Sequence, residues 1–551
     1  MKTGATFRRF RQWPLLLALV AFTICLSFAV HSSLSRTDGH FIYALDDAYI
    51  HMAMAKNLAR HGVWGCTPFH FSASSSSLLW TLGLGIVYFL FGVNEIAPLV
   101  LNVLLAVLTL LVSDHYLEKF KAPPVLRAAA LLAMVVAFPL PGMVLLGMEH
   151  ILHLLLTIWF ACAAVEALMD AGSAAAARRQ TLWLCIAAAL LASSRYEGFF
   201  LVGLACLGLL ARRHWLRAIL VGSAAFAPTF VFGVYSLAQG AFFFPNSLMV
   251  QAGDDKLSLL SVIFKLPGRK DLLVLGRNRE LLALLLLGLL AAGVLWARKR
   301  SFWSRGVWLP LLLSLMILLH IHYAFSPMFW VYRYAAYLVE FAVFAAAAVM
   351  ADWLESGPVE TKWRSRGRGM LLVAGIAALT CGITDVRNGI HPAKEIRKTT
   401  QTYFEHYAAA KFLARHYPAA TVAINDLGAV TFFTEARILD IFGLGDIEPL
   451  RIKRKSGGYT KADVLSWTAR YRPEIGIFQL AWAWVQPRIP DEWIKTAELA
   501  MPRSSKSGFI RIGFYAMDAR SARRLARHVK SYYGPKRSRF GYRLTVFPTG
   551  S

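Results

Sequence analysis

Adjacent carboxylates at Asp46 and Asp47, in the stretch Leu45-Asp46-Asp47-Ala48-Tyr49-Ile50-His51, stand just past the first hydrophobic segment of the chain. Two acids beside a membrane surface are costly unless they bind or transfer something. Neighbouring side chains point in different directions on any backbone, so at most one faces a given ligand atom while the other braces the loop. We take Asp46 as the reactive acid. Capping of the amphipathic helix expected at 48–60 accounts for one of the pair and leaves the other unexplained. Further polar groups recur at the ends of apolar segments: Glu149 and His150 in Gly147-Met148-Glu149-His150, Arg195 and Glu197 in Ser194-Arg195-Tyr196-Glu197, and Arg333 in Tyr332-Arg333-Tyr334. His320 and His322 approach the same side. Each has a plainer reading: Arg195 and Glu197 satisfy one another, Arg333 snorkels to headgroups, and the histidines pack within the bundle. Gathered on one side of an apolar groove, these acids and cations suit a ligand with a phosphate head and a lipid tail. No His, Cys or Asp spacing matches a closed metal site.

The elements that must position these groups are membrane helices. Of 551 residues, 57% are hydrophobic and only 17% charged, which excludes an ordinary soluble protein and leaves room for a polytopic bundle plus one soluble domain. Apolar segments occur at 14–32, 76–92, 96–113, 125–145, 149–170, 181–194, 197–211, 216–239, 280–297, 307–325, 333–353 and 369–386. The first follows Arg8, Arg9 and Arg11 without a small-residue cleavage pattern, so it reads as an uncleaved anchor with a cytoplasmic N-terminus. Basic clusters at Arg178-Arg179, Arg212-Arg213, Arg298-Lys299-Arg300 and Lys362 to Arg368 belong on the cytoplasmic side, which is consistent only if one of the segments does not cross. The weakest is 76–92, short and broken by Gly83 and Gly85. An α-helical polytopic bundle of about eleven spans follows, with a long first exterior loop at about 33–95, a second at about 240–279, and short outer turns at 147–150, 195–198 and 326–333.

From Arg387 hydropathy falls. Residues 1–386 form the membrane domain on this reading, and 387–551 an exterior α/β domain with the C-terminus outside. A helix is expected at 395–417, strands at 421–424, 429–433, 437–442, 474–480, 509–517 and 542–547, and helices near 461–471 and 521–532. That domain holds 28 basic against 13 acidic residues, about half of the chain's net +27. Such a charge favours anionic phospholipid or an acidic glycan; nucleic acid is not an expected partner. Arg451-Ile452-Lys453-Arg454-Lys455 is either a solvated loop or an acceptor-binding face. The six cysteines are dispersed, five of them in apolar segments, and form no disulfide framework.

With Asp46-Asp47-Ala48-Tyr49-Ile50 come Ala55-Lys56-Asn57-Leu58, His61-Gly62 and Ser77-Leu78-Leu79-Trp80. Together they resemble the first exterior loop of the GT-C superfamily of polyprenyl-phosphate-sugar-dependent glycosyltransferases, nearest in pattern to the cell-wall arabinofuranosyltransferases and their bacterial relatives. Gly147-Met148-Glu149, Ser194 to Gly198, Phe244-Pro245-Asn246-Ser247, Tyr332-Arg333-Tyr334, Asn425-Asp426-Leu427-Gly428-Ala429 and Leu439 to Leu444 continue the pattern in order. The resemblance implies an enzyme of a bacterial inner membrane with its C-terminal domain in the periplasm. It would move a sugar, arabinofuranose by analogy, from a polyprenyl-phosphate donor to a glycan, lipid or protein acceptor. Asp46 would act as general base and Asp47 would orient it. Lys56, Arg195 and Arg333 would meet the leaving phosphate, while Glu149, His150, Glu197 and Asn246 complete the substrate-binding set. Glu149 is also a second acid for a divalent cation, in the manner of some members, but cations alone can handle a monophosphate leaving group. Gly65-Cys66-Thr67-Pro68 and Ala73-Ser74-Ser75-Ser76 depart from the family pattern and put the acceptor region in doubt. A polysaccharide polymerase or ligase, or a lipid-linked glycan transporter, is the alternative; a transporter more often shows related halves and charges at mid-bilayer.

Overall fold

A computed structural model describes residues 12–137, 140–169, 173–251, 279–299, 302–323, 333–355, 398–456, 458–502, 509–536 and 542–548. Every apolar segment expected between 14 and 353 contains a helix. The principal ones are α1 (Trp13–Leu34), α2 (Asp47–His61), α3 (Leu78–Phe91), α4 (Ala97–Lys119), α5 (Pro124–Leu132), α6 (His150–Leu168), α7 (Ala174–Ser194), α8 (Gly198–Ala211), α9 (Trp215–Ala238), α10 (Arg279–Lys299), α11 (Arg305–Tyr323) and α12 (Ala336–Glu355). Among the described residues five of them, α1, α4, α6, α9 and α12, are long and apolar enough to cross a membrane. The outward faces of α1, α4 and α9 carry large apolar side chains in the open, such as Leu16, Val20, Ile24 and Phe28 on α1 and Leu216, Ile219, Phe230 and Val231 on α9. A water-soluble protein does not tolerate such a belt, so the chain is an integral membrane protein. Helices α6 and α12 are buried centrally in the bundle.

The segment expected at 125–145 is not one straight helix. Helix α5 ends at Leu132 in a π-turn over Ala133–Ala137, and another short helix follows at Leu140–Val144. Pro141, which lacks an amide donor, and the wider turn before it account for the break. Helix α3, expected to lie on the membrane rather than in it, has 14 residues, about 21 Å at ~1.5 Å per residue and short of the ~30 Å hydrocarbon core. It packs Trp80, Leu84 and Tyr88 inward and leaves Ile86, Phe89 and Phe91 outward. Gly85 lets it approach α2: a Cβ there would sit 3.1 Å from Leu58. The apolar segment 369–386, the basic cluster Lys362 to Arg368, the domain boundary at 386/387, Tyr332, most of the turn at 326–333 and most of the second exterior loop lie outside the described residues, as does the side chain of His322.

The C-terminal domain is α/β, as expected. A π-turn (Tyr403–Tyr407) runs into α13 (Ala408–His416). Six strands follow, β1 (Thr421–Ile424), β2 (Arg437–Asp440), β3 (Ile475–Gln479), β4 (Ile494–Pro502), β5 (Phe509–Ala516) and β6 (Arg543–Val546), in the order β2-β1-β3-β5-β4-β6. Strand β1 runs parallel to β2 and β3, and the remaining pairs are antiparallel. Alternation along the strands sorts the core: Val422, Ile424 and Ile477 face α13 and α16 (Ala519–Tyr533), whereas Ala423, Leu439 and Phe478 face α15 (Lys461–Ala469). Two expectations fail here. Residues 429–433 are not a strand but the helix α14 (Gly428–Phe433), because a short apolar run has no period of its own and tertiary partners decide it. Strand β4 was not expected, since Lys495-Thr496-Ala497-Glu498-Leu499-Ala500-Met501-Pro502 carries little strand propensity; it forms because β5 and β6 pair with it on either side.

One hydrophobic cluster joins Tyr43, Tyr49, Met52 and Ala55 of the first loop to Phe412, Val430 and Phe514 of the C-terminal domain. Loop and domain therefore share a core.

Candidate active site

Asp46 sits at the start of α2, yet its side chain does not cap that helix. Its carboxylate accepts instead from the amides of Gly428 (2.7 Å) and Ala429 (2.8 Å), at the first turn of α14. Only glycine fits at 428, where a Cβ would meet the Asp46 carbonyl oxygen at 2.1 Å. Ten residues further along α2, Lys56 reaches the other end of the same helix. Its ammonium donates to the carbonyls of Thr431, Phe432 and Thr434 and to Glu435, at 2.9–3.4 Å. The first loop thus grips α14 with an anion at its N-terminal amides and a cation at its C-terminal carbonyls, the favourable sense for a helix. The structure does not bring Lys56 to the other charged groups; it is spent on the domain contact.

Asp47 faces elsewhere. Its side chain is 39% exposed, against 7% for that of Asp46, and pairs with Arg333 Nη1 at 3.0 Å. Burial works against the charged form of Asp47, yet the Arg333 guanidinium beside it holds the carboxyl below its ordinary value. Arg333 is itself buried. It donates to Tyr334 Oη (2.8 Å) and lies over that ring at 4.7 Å, and its Nε has no partner among the described residues. On the far side of Tyr334 chemistry continues: Arg195 lies 5.2 Å from the same ring and is held by two acids, Glu149 (2.5 Å) and Glu197 (2.7 and 3.2 Å). Glu149 is fully buried and also accepts from Ser76 (3.0 Å), with His51 Nε2 3.4 Å from its other oxygen. His51 in turn meets Thr81 at 2.9 Å, and burial lowers its pKa, so the imidazole is a neutral link between α2, α3 and α6.

Asp47, Glu149, Arg195, Glu197 and Arg333 therefore form one buried, charged group around Tyr334, contributed by α2, the entry to α6, the α7–α8 turn and the approach to α12. Within it the two arginines differ. Arg195 is held by two carboxylates and braces the turn, whereas among the described residues Arg333 has one acid and an unpartnered Nε–H. His150 adjoins the group, its ring 6.4 Å from that of Tyr334 and its Nε2 without a partner among the described residues. His320 lies deeper, bonded to Tyr337 at 3.4 Å. Asn246 is a fastener: its amide donates to the Leu444 carbonyl at 3.1 Å, which Ser74 also holds at 2.7 Å, tying the first loop to the domain.

Comparisons with known proteins fall on these parts unevenly. A family model described as a domain of unknown function (DUF8728) matches residues 394–521, the greater part of the α/β domain. No curated protein matches. Among solved structures, the chain is similar to ArnT from Cupriavidus metallidurans bound to undecaprenyl phosphate, with 15% identity over 91% of this chain and 98% of that one and a TM-score of 0.46. It is also similar to the oligosaccharyltransferase AglB from Archaeoglobus fulgidus in complex with an inhibitory peptide and a dolichol-phosphate, with 13% identity over 91% of this chain and 74% of that one and a TM-score of 0.48.

A second cluster lies behind Asp46. His406, on the π-turn before α13, stands 3.7 Å from Asp46, 3.7 Å from Asp426 and 3.6 Å from Glu405. Burial alone would lower the imidazole's pKa, but the carboxylates around it push it up to about 10, while burial raises Asp426 well above the carboxylate range. Asp46, His406 and Asp426 each offer a donor atom within 4.8 Å of the others, so a divalent cation could be held there. Both Asp46 oxygens already accept amides, and the imidazolium supplies the positive charge, so such an ion would have to displace a proton. His51, Ser76, Tyr334 and His406 were not singled out from the sequence. His51, Ser76 and Tyr334 each stand within a stretch noted in the sequence, at 45–51, 73–76 and 332–334, whereas His406 had no local signal and is brought in from a distant segment.

Proposed function

We propose that the chain is a membrane glycosyltransferase that moves a sugar from a polyprenyl phosphate to an acceptor hydroxyl. The observation that carries the proposal is the Asp47–Arg333 pair. A half-exposed carboxylate and a buried guanidinium whose Nε–H has no partner among the described residues stand side by side at the outer ends of membrane helices, where a lipid phosphate and an acceptor can meet. The first-loop sequence pattern supports the same reading.

In this mechanism the donor phosphate binds at Arg333, taking its unpaired N–H and competing for the guanidinium with Asp47. Losing its cation raises the proton affinity of Asp47 at the moment a base is needed. Asp47 accepts the proton of the acceptor hydroxyl as that oxygen forms a bond to the anomeric carbon. The bond from that carbon to the phosphate oxygen breaks, and polyprenyl phosphate leaves with the electron pair, its charge met by Arg333. The partners of the two acids favour Asp47 as base and Asp46 as the group that positions it, the reverse of the roles expected from sequence. Arg195, Glu149 and Glu197 hold the shape of the site. Arabinofuranose as the sugar, a glycan, lipid or protein as acceptor, and a periplasmic domain on a bacterial inner membrane complete the reading, all by resemblance.

The test is transfer by the purified full-length protein supplied with a panel of radiolabelled polyprenyl-phosphate sugars and membrane extract. Label moving to a lipid-free product from one donor supports the reaction. Labelled donor crossing a sealed vesicle unchanged, with no transfer from any donor, would support the transporter instead.

A further inference from the structure

Between the C-terminal sheet and the turn at 403–407 lies a cavity of about 320 Å³, within the ~300–1,000 Å³ of small-ligand pockets. Tyr403, Tyr407, Tyr532 and Tyr533 wall it with their rings, and Ile510 and Ile512 line its sheet side. Three of its wall hydroxyls are spent on protein, Tyr403 donating to Asp38 (3.2 Å), Tyr407 meeting His40 (3.3 Å) and Tyr542 donating to the Tyr533 carbonyl, while the buried Tyr533 hydroxyl lacks a partner among the described residues. A sugar would find few groups to answer its hydroxyls; an apolar chain would lose nothing by entering. His40 also lines a second, more open concavity of about 830 Å³, walled on one side by the ends of membrane helices (Val30 and Leu34 on α1, Ile96 and Leu99 at α4) and on the other by Phe433 and Glu435, with Glu95 between. The two spaces thus share a wall at the outer edge of the bundle.

Lys411 stands at their junction. Its ammonium lies 5.0 Å from the Tyr407 ring, in the cavity wall, and 4.2 Å from the Phe433 ring, in the groove wall. Among the described residues no carboxylate forms an ion pair with it, whereas Glu435 in the groove is taken by Lys56 and Arg60. A partly buried cation set against two rings, with the groove's Glu95 carboxylate near enough to feel its charge, stands at the mouth of an apolar pocket and is complementary to an anionic head on an apolar chain.

We infer that the C-terminal domain carries a lipid-chain site, which takes a single-chain anionic lipid from the adjoining leaflet with its chain in the aromatic cavity and its head at Lys411. The site is separate from the Asp47–Arg333 pair and does not depend on the transfer reaction. It is tested by binding alone, on full-length protein in nanodiscs. The probe is palmitoyl lysophosphatidic acid bearing a diazirine at the chain end, photolysed and mapped by peptide mass spectrometry. The expected result is label on the cavity walls, at 403–411, 510–512, 532–533 or 542, displaced by unlabelled probe. Ala408→Trp, which fills the cavity, should lose most of that label, with Ala408→Leu as the milder fill should the tryptophan not fold. Lys411→Gln should weaken it. A carboxylate probe, the corresponding fatty acid, and the zwitterionic lysophosphatidylcholine separate phosphate from carboxylate and from chain burial alone. Label confined to the membrane helices, or undiminished in both Ala408 variants at unchanged thermal stability, overturns the inference.

Discussion

Asp47 and Arg333 each hold the other in its charged form, and that reciprocity sets what substitution should do. Replacing Arg333 by Met removes the cation that keeps Asp47 low, so the acidic limb of the pH–rate profile should move up toward and past the ordinary carboxylate range. The donor KM should rise as well, because the leaving phosphate loses its partner. Arg333→Lys should restore part of the donor affinity and little of the rate, since a point charge cannot serve carboxylate, phosphate and Tyr334 together. Steady-state kinetics across pH distinguish these outcomes from a merely structural role, which would lower the rate without moving the limb. At this scale the sequence showed that two acids needed an explanation and which cations were at hand. It could not show which acid was free, because the amides that occupy Asp46 belong to residues 382 and 383 positions further on. Arg195 and Glu197 were legible even in their plainer role: two residues apart, they satisfy one another.

Helix α14 is six residues long and makes sense only as something held. A helix so short is not stable by propensity, and its end groups need partners. Asp46 and Lys56 supply them from one face of α2, with Gly428 giving the clearance. Lys56→Met should therefore destabilise the folded chain by about 1–3 kcal/mol, the cost of leaving buried carbonyls unmet. Gly428→Ala should do so through the Cβ clash and should open the domain contact to limited proteolysis near 428. Both effects are read as thermal shifts and as faster cleavage, with the donor KM changed little by Lys56→Met; a donor-binding defect without loss of stability would instead return Lys56 to the phosphate. The helices α2 and α3 were legible because period and length speak directly. Residues 429–433 were not, because four apolar residues and a threonine fit a strand as well as a helix and the deciding contacts come from another domain.

For the whole molecule, the junction between bundle and domain is electrostatic as well as apolar, and it should respond to pH. The pKa of His406 is raised in the folded chain to about 10 from an ordinary value of 6.5. A raised group contributes stability that is fully present below the unfolded pKa and lost as pH climbs through the folded one. Asp426, also raised, acts in the same direction. The domain contact should accordingly weaken between about pH 6.5 and 10, seen as falling thermal stability and rising protease access at the junction, and His406→Asn should flatten that dependence. Hydropathy and basic clusters made the membrane bundle and the separate domain legible in sequence. Domain docking was not, since it rests on single contacts between residues some 380 positions apart rather than on any local pattern.

The central claim is that Asp47 accepts the acceptor's proton while Asp46 holds the site in place. It is tested most directly by comparing wild type, Asp47→Asn and Asp46→Asn for sugar transfer and for thermal unfolding in one preparation. Asp47→Asn should lose about 10²–10⁴-fold in rate at nearly unchanged stability and donor affinity, whereas Asp46→Asn should lose stability first and activity with it. Transfer surviving in a folded Asp47→Asn protein, and abolished in an equally stable Asp46→Asn protein, would contradict the account and give the base role to Asp46.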